Sequence, residues 1–147
     1  MTWTISIPGA PVGKGRPRCS CVGGRPRLRT PENTRAWEKA AALLMRCSWR
    51  ESPLAAPCRV EVTAVHPRPA SRPRTISATA WRSGERVWRP STPDADNVLK
   101  AVLDALQLGG VLEDDRWVVE VEARTVYAAR GEEASVEVVV LEMEVMG

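Results

Sequence analysis

The chain has 147 residues, 44% hydrophobic and 27% charged, with six Trp, one Tyr and no Phe. That length suits a single domain over 1–147 with one modest core; no stretch reaches the ~20 apolar residues of a membrane span, and no apolar leader opens the sequence. The net charge of +3 conceals a split: residues 1–93 hold 17 Lys and Arg against five Glu, residues 94–147 hold four against 13 acids, and all five Asp fall between Asp94 and Asp115.

These numbers exclude a membrane partner and point to the cytoplasm, where Cys19, Cys21, Cys47 and Cys58 are expected to be reduced. Cys19 and Cys21 lack the spacing and the second knuckle of a structural zinc site, so they read as incidental thiols. A basic half joined to a compact acidic cluster suits a protein that attracts a polyanion and holds a cation beside it. Two halves that neutralise one another across the fold fit the same numbers.

In chain order, residues 2–7 alternate, with Trp3, Ile5 and Ile7 on one side of a half-buried strand. The stretch from Pro8 to Arg29 is rich in Gly, Pro and Arg and is expected to be irregular. Thr30-Pro31-Glu32 offers a hydroxyl cap, a first-turn proline and an acid, which predicts a helix running to about Trp49. Its buried stripe is expected to be Trp37, Ala40, Ala41, Leu44 and Cys47 or Ser48. Residues 58–65 alternate again as a second strand. From about 66 to 93 there is no periodicity, but there are six Arg, five Pro and two Trp, as in a long functional or disordered loop.

A helix over roughly 95–108 carries Val98, Val102 and Leu106 on one side, with Leu99 and Leu103 beside them, and stops at Gly109-Gly110. Strands at 117–127 and about 134–145 follow, separated by a Gly-containing turn. The fold class is therefore α+β: one small sheet of about four strands with two main helices on one face.

The chemistry concentrates in PDADNVLKAVLDAL and LEDD. Asp94 and Asp96 face the same way if Asp94 lies in extended chain at the helix cap, whereas two residues apart inside a helix would set them nearly opposite. Lys100 sits one turn above Asp96, and Asp104 continues that line. The helix rises ~1.5 Å per residue to Leu108, and an extended return at ~3.3 Å per residue from Gly109 brings Asp114 or Asp115 back near the helix start. Three carboxylates meeting there would offer the hard oxygen donors that magnesium prefers, and would repel one another without it.

Each residue also has a plainer role. Asp94 serves as an N-cap, Asp96 as a first-turn acid, Asp96–Lys100–Asp104 as a surface ion-pair ladder worth little, and Asp114-Asp115 as a turn. An EF-hand is excluded because Leu99 and Ala105 stand where that loop needs Gly and Glu. A phosphatase-type DxD is excluded because WRPSTP, not an apolar strand, precedes Asp94.

The string TPDADNVLKAVLDAL followed by GVLEDDRWV closely resembles the signature of the RusA-type Holliday-junction resolvases. That pattern is Asp-x-Asp-Asn opening a helix, a Lys four residues after the second Asp, Asp-Ala-Leu, and then Asp-Asp before an apolar strand. Pro-Gly-x-Pro, KGRPR, the Thr-Pro-led helix and the long Arg- and Trp-bearing loop look like the phage-associated and Gram-positive-type members. The resemblance implies a RusA-like fold and a homodimer that nicks four-way DNA junctions using Mg2+, with Mn2+ able to substitute. It also implies that Asp94, Asp96 and Asp115 bind the metal and that Lys100 is catalytic, while Asp104 and Asp114 match positions of lesser expected weight.

Lys14, Arg16, Arg18, Arg25 and Arg27, with Arg29, form a basic segment expected to contact DNA phosphates. Arg68, Arg72, Arg74, Arg82, Arg86 and Arg89 form a second in the long loop, where Trp81 and Trp88 offer rings for stacking on unpaired bases or for packing. Two alternatives remain beside the junction nuclease: a branched-DNA-binding protein without cleavage activity, and a nuclease acting mainly on flaps or forks.

Overall fold

The computed structural model describes residues 1–15, 18–29, 31–144 and 146. Four long strands form the body of a mixed sheet: β1 (Thr2–Pro8), β4 (Cys58–His66), β6 (Val118–Tyr127) and β7 (Ser135–Glu142). A two-residue strand, β5 (Val87–Trp88), extends the edge, giving the order β1-β7-β4-β6-β5. All neighbours are antiparallel except β4 and β6. Parallel neighbours require the chain between them to cross back over the sheet, and the helix α3 (Ala95–Leu108) lies on that crossover. The α+β class with two main helices is as expected; the sheet has five strands rather than four because β5 emerges from the long loop.

The alternation legible in the sequence becomes the core. Ile7, Val60, Val62, Ala64, Val136, Val138 and Val140 pack in one core with Ala41 and Met45 of the helix α1 (Glu32–Ser48), Trp49 that caps its C-terminus, and Val98, Val102, Ala105 and Leu106 of α3. Burying each of the larger aliphatic side chains stabilises by about 1.5–3 kcal/mol, so a valine-rich sheet face supplies what Phe usually would. The helices meet through small residues, with Ala41, Ala42, Ala101 and Ala105 all buried.

That close approach rotates α1 away from the expected stripe. Thr34, Ala41, Ala42 and Met45 are inward, while Ala40, Leu44, Cys47 and Ser48 are exposed. Leucine at the α3 contact would hold the helices too far apart, so the alanines face in and Leu43 and Leu44 face out. The helix also starts one residue later than its motif suggests: Pro31 has an extended ψ of 142° and is the N-cap rather than the first helical residue. The expected cap, Thr30, lies outside the described residues.

The Gly/Pro/Arg-rich stretch is not wholly irregular. β2 (Arg18–Val22) and β3 (Arg25–Arg29) form a separate antiparallel hairpin. Gly23 and Gly24 at its tip have φ of 60° and 76°, the left-handed pair a two-residue hairpin turn requires.

The segment after β4 is likewise ordered. It carries the short helix α2 (Ala78–Arg82) and then β5, and several of its arginines bond inward. The Arg68 guanidinium stacks 3.7 Å over the Trp81 ring and donates to the carbonyls of Trp81, Glu85 and Ala128. Arg72 donates to the Ile76 carbonyl, and Arg86 pairs with Glu132 and Glu137. Hydrogen bonds from Arg86 hold the Glu132 carboxyl below its ordinary range against the opposing effect of burial. Trp81 meets Tyr127 edge to face at 6.4 Å, so it is a packing ring, whereas Trp88 is exposed.

His66, at the end of β4, is only 5% exposed, and burial followed by the nearby Arg89 charge lowers its pKa to about 4. The unfolded chain takes up a proton near pH 6.5 that the folded chain refuses until about pH 4. Stability present above that window is therefore expected to fall as pH drops through it, by up to about 3 kcal/mol. Urea midpoints between pH 7 and pH 4.5 check this, and His66→Gln should flatten the decline. A second expectation concerns the helix contact. A Cβ at Gly109 would stand 2.9 Å from the Ala42 carbonyl oxygen and 3.1 Å from Met45 Cβ. Gly109→Ala should lower stability by about 1–3 kcal/mol through overpacking, read as a lower thermal midpoint.

Candidate active site

The start of α3 is where the chemistry-bearing residues gather. Asp94 is its N-cap, extended at φ −78° and ψ 171°, and its Oδ1 accepts from the Asn97 amide at 2.9 Å. Asp96 lies in the first turn, with its Oδ2 3.0 Å from the Lys100 Nζ one turn on. All three side chains are exposed. Placing acids at this end is favourable because the helix dipole is positive there, and an anion arriving at the same end meets the Lys100 ammonium as well.

The chain then returns along α3. After Gly109-Gly110, the amides of Val111 and Leu112 bond back to the Leu106 carbonyl, and Leu112 bridges to Leu54. Asp114 caps a 3-10 turn over Asp115–Trp117, accepting from the Arg116 amide at 2.9 Å. This turn touches α3, and Asp115 opens it with an exposed side chain. The chain thus doubles back against α3 after Gly109-Gly110.

The side chains do not form a ready-made cage. Among the described residues, no group of three or more His, Cys, Asp or Glu is placed to hold a metal ion. Asp94 is turned to its own helix amide and Asp96 to Lys100. The donor set itself fits a hard divalent cation, since it is made of carboxylates alone; what the structure holds is a set of exposed acids on two touching elements. Asp104 belongs elsewhere: its Oδ2 is 2.6 Å from the Lys14 Nζ.

Lys14 therefore acts as a strut. It pairs with Glu38 of α1 at 2.9 Å and with Asp104 of α3, and its amide donates to the Asn97 carbonyl at 2.9 Å. Burial pulls this ammonium's pKa down, but the bonds to Asp104 and Glu38 outweigh it and the net shift is upward. The expected DNA-facing role of Lys14 competes with two carboxylates already in place.

The flanking glycines let this strut cross the helix start. A Cβ on Gly13 would lie 2.6 Å from Pro93 Cβ, and one on Gly15 would lie 2.4 Å from Pro31 Cγ. The buried Thr34 hydroxyl donates to the Gly13 carbonyl and accepts from the Gly15 amide. The β2–β3 hairpin is consequently rooted beside the cap of α3. Arg25 is exposed at its tip, and Arg18 and Arg27 occupy positions opposite Arg29 and Ser20; Arg16 lies outside the described residues.

Arg89 is the residue that the sequence pattern did not single out. Grouped with the basic loop, it is in fact bound to the carbonyls of Ser91, Thr92 and Pro93 at 3.1, 2.7 and 3.3 Å, immediately before Asp94. Nothing in the spacing distinguishes it from its neighbours Arg82 and Arg86, because its partners are backbone oxygens.

The chain is 30% identical over 140 residues to the uncharacterized protein YqaN of Bacillus subtilis (strain 168), with 95% of each chain covered. Residues 8–140 match the family described as Endodeoxyribonuclease RusA, a span that takes in the hairpin, both helices and the aspartate-bearing cap and turn. The chain belongs to the RusA endodeoxyribonuclease family.

Proposed function

We propose that the protein is a magnesium-dependent, structure-selective endonuclease that resolves four-way DNA junctions as a homodimer. The observation that carries this reading is the first turn of α3: Asp94 and Asp96 beside Lys100, on a helix touched by the turn that Asp115 opens, in a chain of the RusA family. Binding of DNA alone needs no such combination of acids and an ammonium.

Asp94, Asp96 and Asp115 are the residues that would hold Mg2+. Bound there, the ion would polarise a phosphoryl oxygen and lower the pKa of a water ligand. Lys100 contributes a fixed positive charge for the phosphate, and its present contact with Asp96 shows how near that charge lies to the carboxylates. The Asp94 cap, two residues before the first-turn acid Asp96, holds the helix start through the Asn97 amide. A two-fold dimer would present two such sites to a junction of near two-fold symmetry.

The hairpin is the proposed DNA-gripping element. Arg18, Arg25 and Arg27 lie on this ribbon, Arg16 precedes it in the sequence, and the charge of all four would bind phosphates without reading sequence. Lys14 supports the root of that ribbon through Glu38 and Asp104.

Asp96→Asn is expected to reduce cleavage of a synthetic four-way junction by at least about two orders of magnitude while leaving binding near wild type. Undiminished Mg2+-dependent cleavage by this variant refutes the assignment, and equal wild-type rates on fork, flap and junction refute the junction preference. Arg25→Ala combined with Arg27→Ala should weaken junction binding and reduce the slope of log affinity against log salt by about 1.8. An unchanged slope removes the hairpin from the DNA surface.

A further inference from the structure

Arg89 joins the sheet to the three residues that precede Asp94. Its amide continues the β5 pairing, donating to the Thr125 carbonyl of β6 at 3.0 Å. Its guanidinium lies 5.7 Å over the Tyr127 ring and 3.4 Å from His66 Nε2, at the ends of the parallel strands β6 and β4. From that seat its Nη1 donates to the carbonyls of Ser91 and Pro93, and its Nη2 to that of Thr92.

Three consecutive carbonyl oxygens thus converge on one cation. Turned together without a donor, these oxygens would repel one another. The planar guanidinium, with five N–H groups in a fixed fork, satisfies them at once and sets their relative directions. Since Pro93 is bonded directly to Asp94, fixing its carbonyl fixes where the capping carboxylate begins. Gly13 packs against the same proline, where an added Cβ would stand 2.6 Å from Pro93 Cβ. The turn is held between the N-terminal strap and the Arg89 fork.

We infer that Arg89 is a positioning residue for the proposed metal site, holding the Ser91–Pro93 turn so that Asp94 and Asp96 present their carboxylates together. It touches neither metal nor substrate, and it acts through backbone. This inference rests on the metal-site reading of Asp94, Asp96 and Asp115.

Arg68 provides the control. Its guanidinium also holds three carbonyls, those of Trp81, Glu85 and Ala128, in the same covering segment but away from the α3 cap. A merely structural fork should behave as Arg68 does. The test is Mn2+ binding to the full-length protein without DNA, followed by calorimetry and by the Mn2+ resonance spectrum, together with thermal midpoints. The wild type, Arg89→Ala, Arg89→Lys, Arg68→Ala and Asp96→Asn would be compared.

Arg89→Ala is expected to weaken Mn2+ binding by about 10- to 100-fold, the range for groups that orient metal ligands. Arg89→Lys should recover part of that loss, because it keeps the charge but not the fork. Arg68→Ala should keep wild-type affinity even with a lowered midpoint. Wild-type affinity in Arg89→Ala, with Asp96→Asn impaired, overturns the positioning role and leaves the metal site standing. Equal affinity losses in Arg68→Ala and Arg89→Ala also overturn it, as general loosening. If Arg89→Ala does not fold, Arg89→Lys decides: unchanged affinity overturns the role and a loss confined to it supports the role. A wild type that binds no Mn2+, or an Asp96→Asn variant that binds it equally well, overturns both this inference and the reading beneath it.

Discussion

The cap of α3 is closely constrained, and the constraint is steric as much as electrostatic. Gly13 lies against Pro93 so closely that a single added carbon would collide, the Lys14 amide bonds the Asn97 carbonyl, and Arg89 gathers the carbonyls before the cap. Chain from two distant parts of the sequence therefore meets around one helical turn, and Arg89 ties that turn to the sheet. Sheet, basic hairpin and acidic first turn are each referred to that point. Behind it, the alanine contact between α1 and α3 lets the helix sit deep enough to bury Val98, Ala101, Val102, Ala105 and Leu106 while Asp94 and Asp96 stay accessible.

The charge split along the chain is resolved in part by ion pairs. Much of it cancels across the fold: Lys14 with Glu38 and Asp104, Arg86 with Glu132 and Glu137, and Arg59 with Glu61, Glu120 and Glu122. Partly exposed pairs of this kind add little stability individually, but they settle which basic residues are occupied. The internal neutralisation expected as one of the two readings of the charge split is thus present in these pairs. The chain that leads into the arginine-bearing hairpin passes the α3 cap at Gly13 and Lys14.

The core strands and α3 could be read directly because burial imposes a period on the sequence. Val60, Val62 and Ala64, or Val98, Val102 and Leu106, have only one way to face inward. The orientation of α1 was not readable, since Ala40, Ala41 and Ala42 are equivalent by composition and only the closeness of α3 chooses among them. The hairpin escaped notice for a related reason: its strands lie outside the main sheet, so no alternation is imposed on them, and only Gly23-Gly24 marks the turn. The aspartates and Lys100 were found by type and spacing, which bring their backbones near one another. Their side-chain directions, set by local bonds to Asn97 and Lys100, were beyond that signal, as were the Arg89 contacts with backbone oxygens that carry no residue identity.

The hairpin belongs to a sheet of its own and meets the rest of the fold at a glycine on one side and a proline on the other. A ribbon attached in this way can lengthen, shorten or exchange its tip without disturbing a single inward-facing valine. Changes of sequence can then accumulate in the ribbon while the helix turn that carries the acids keeps its packing.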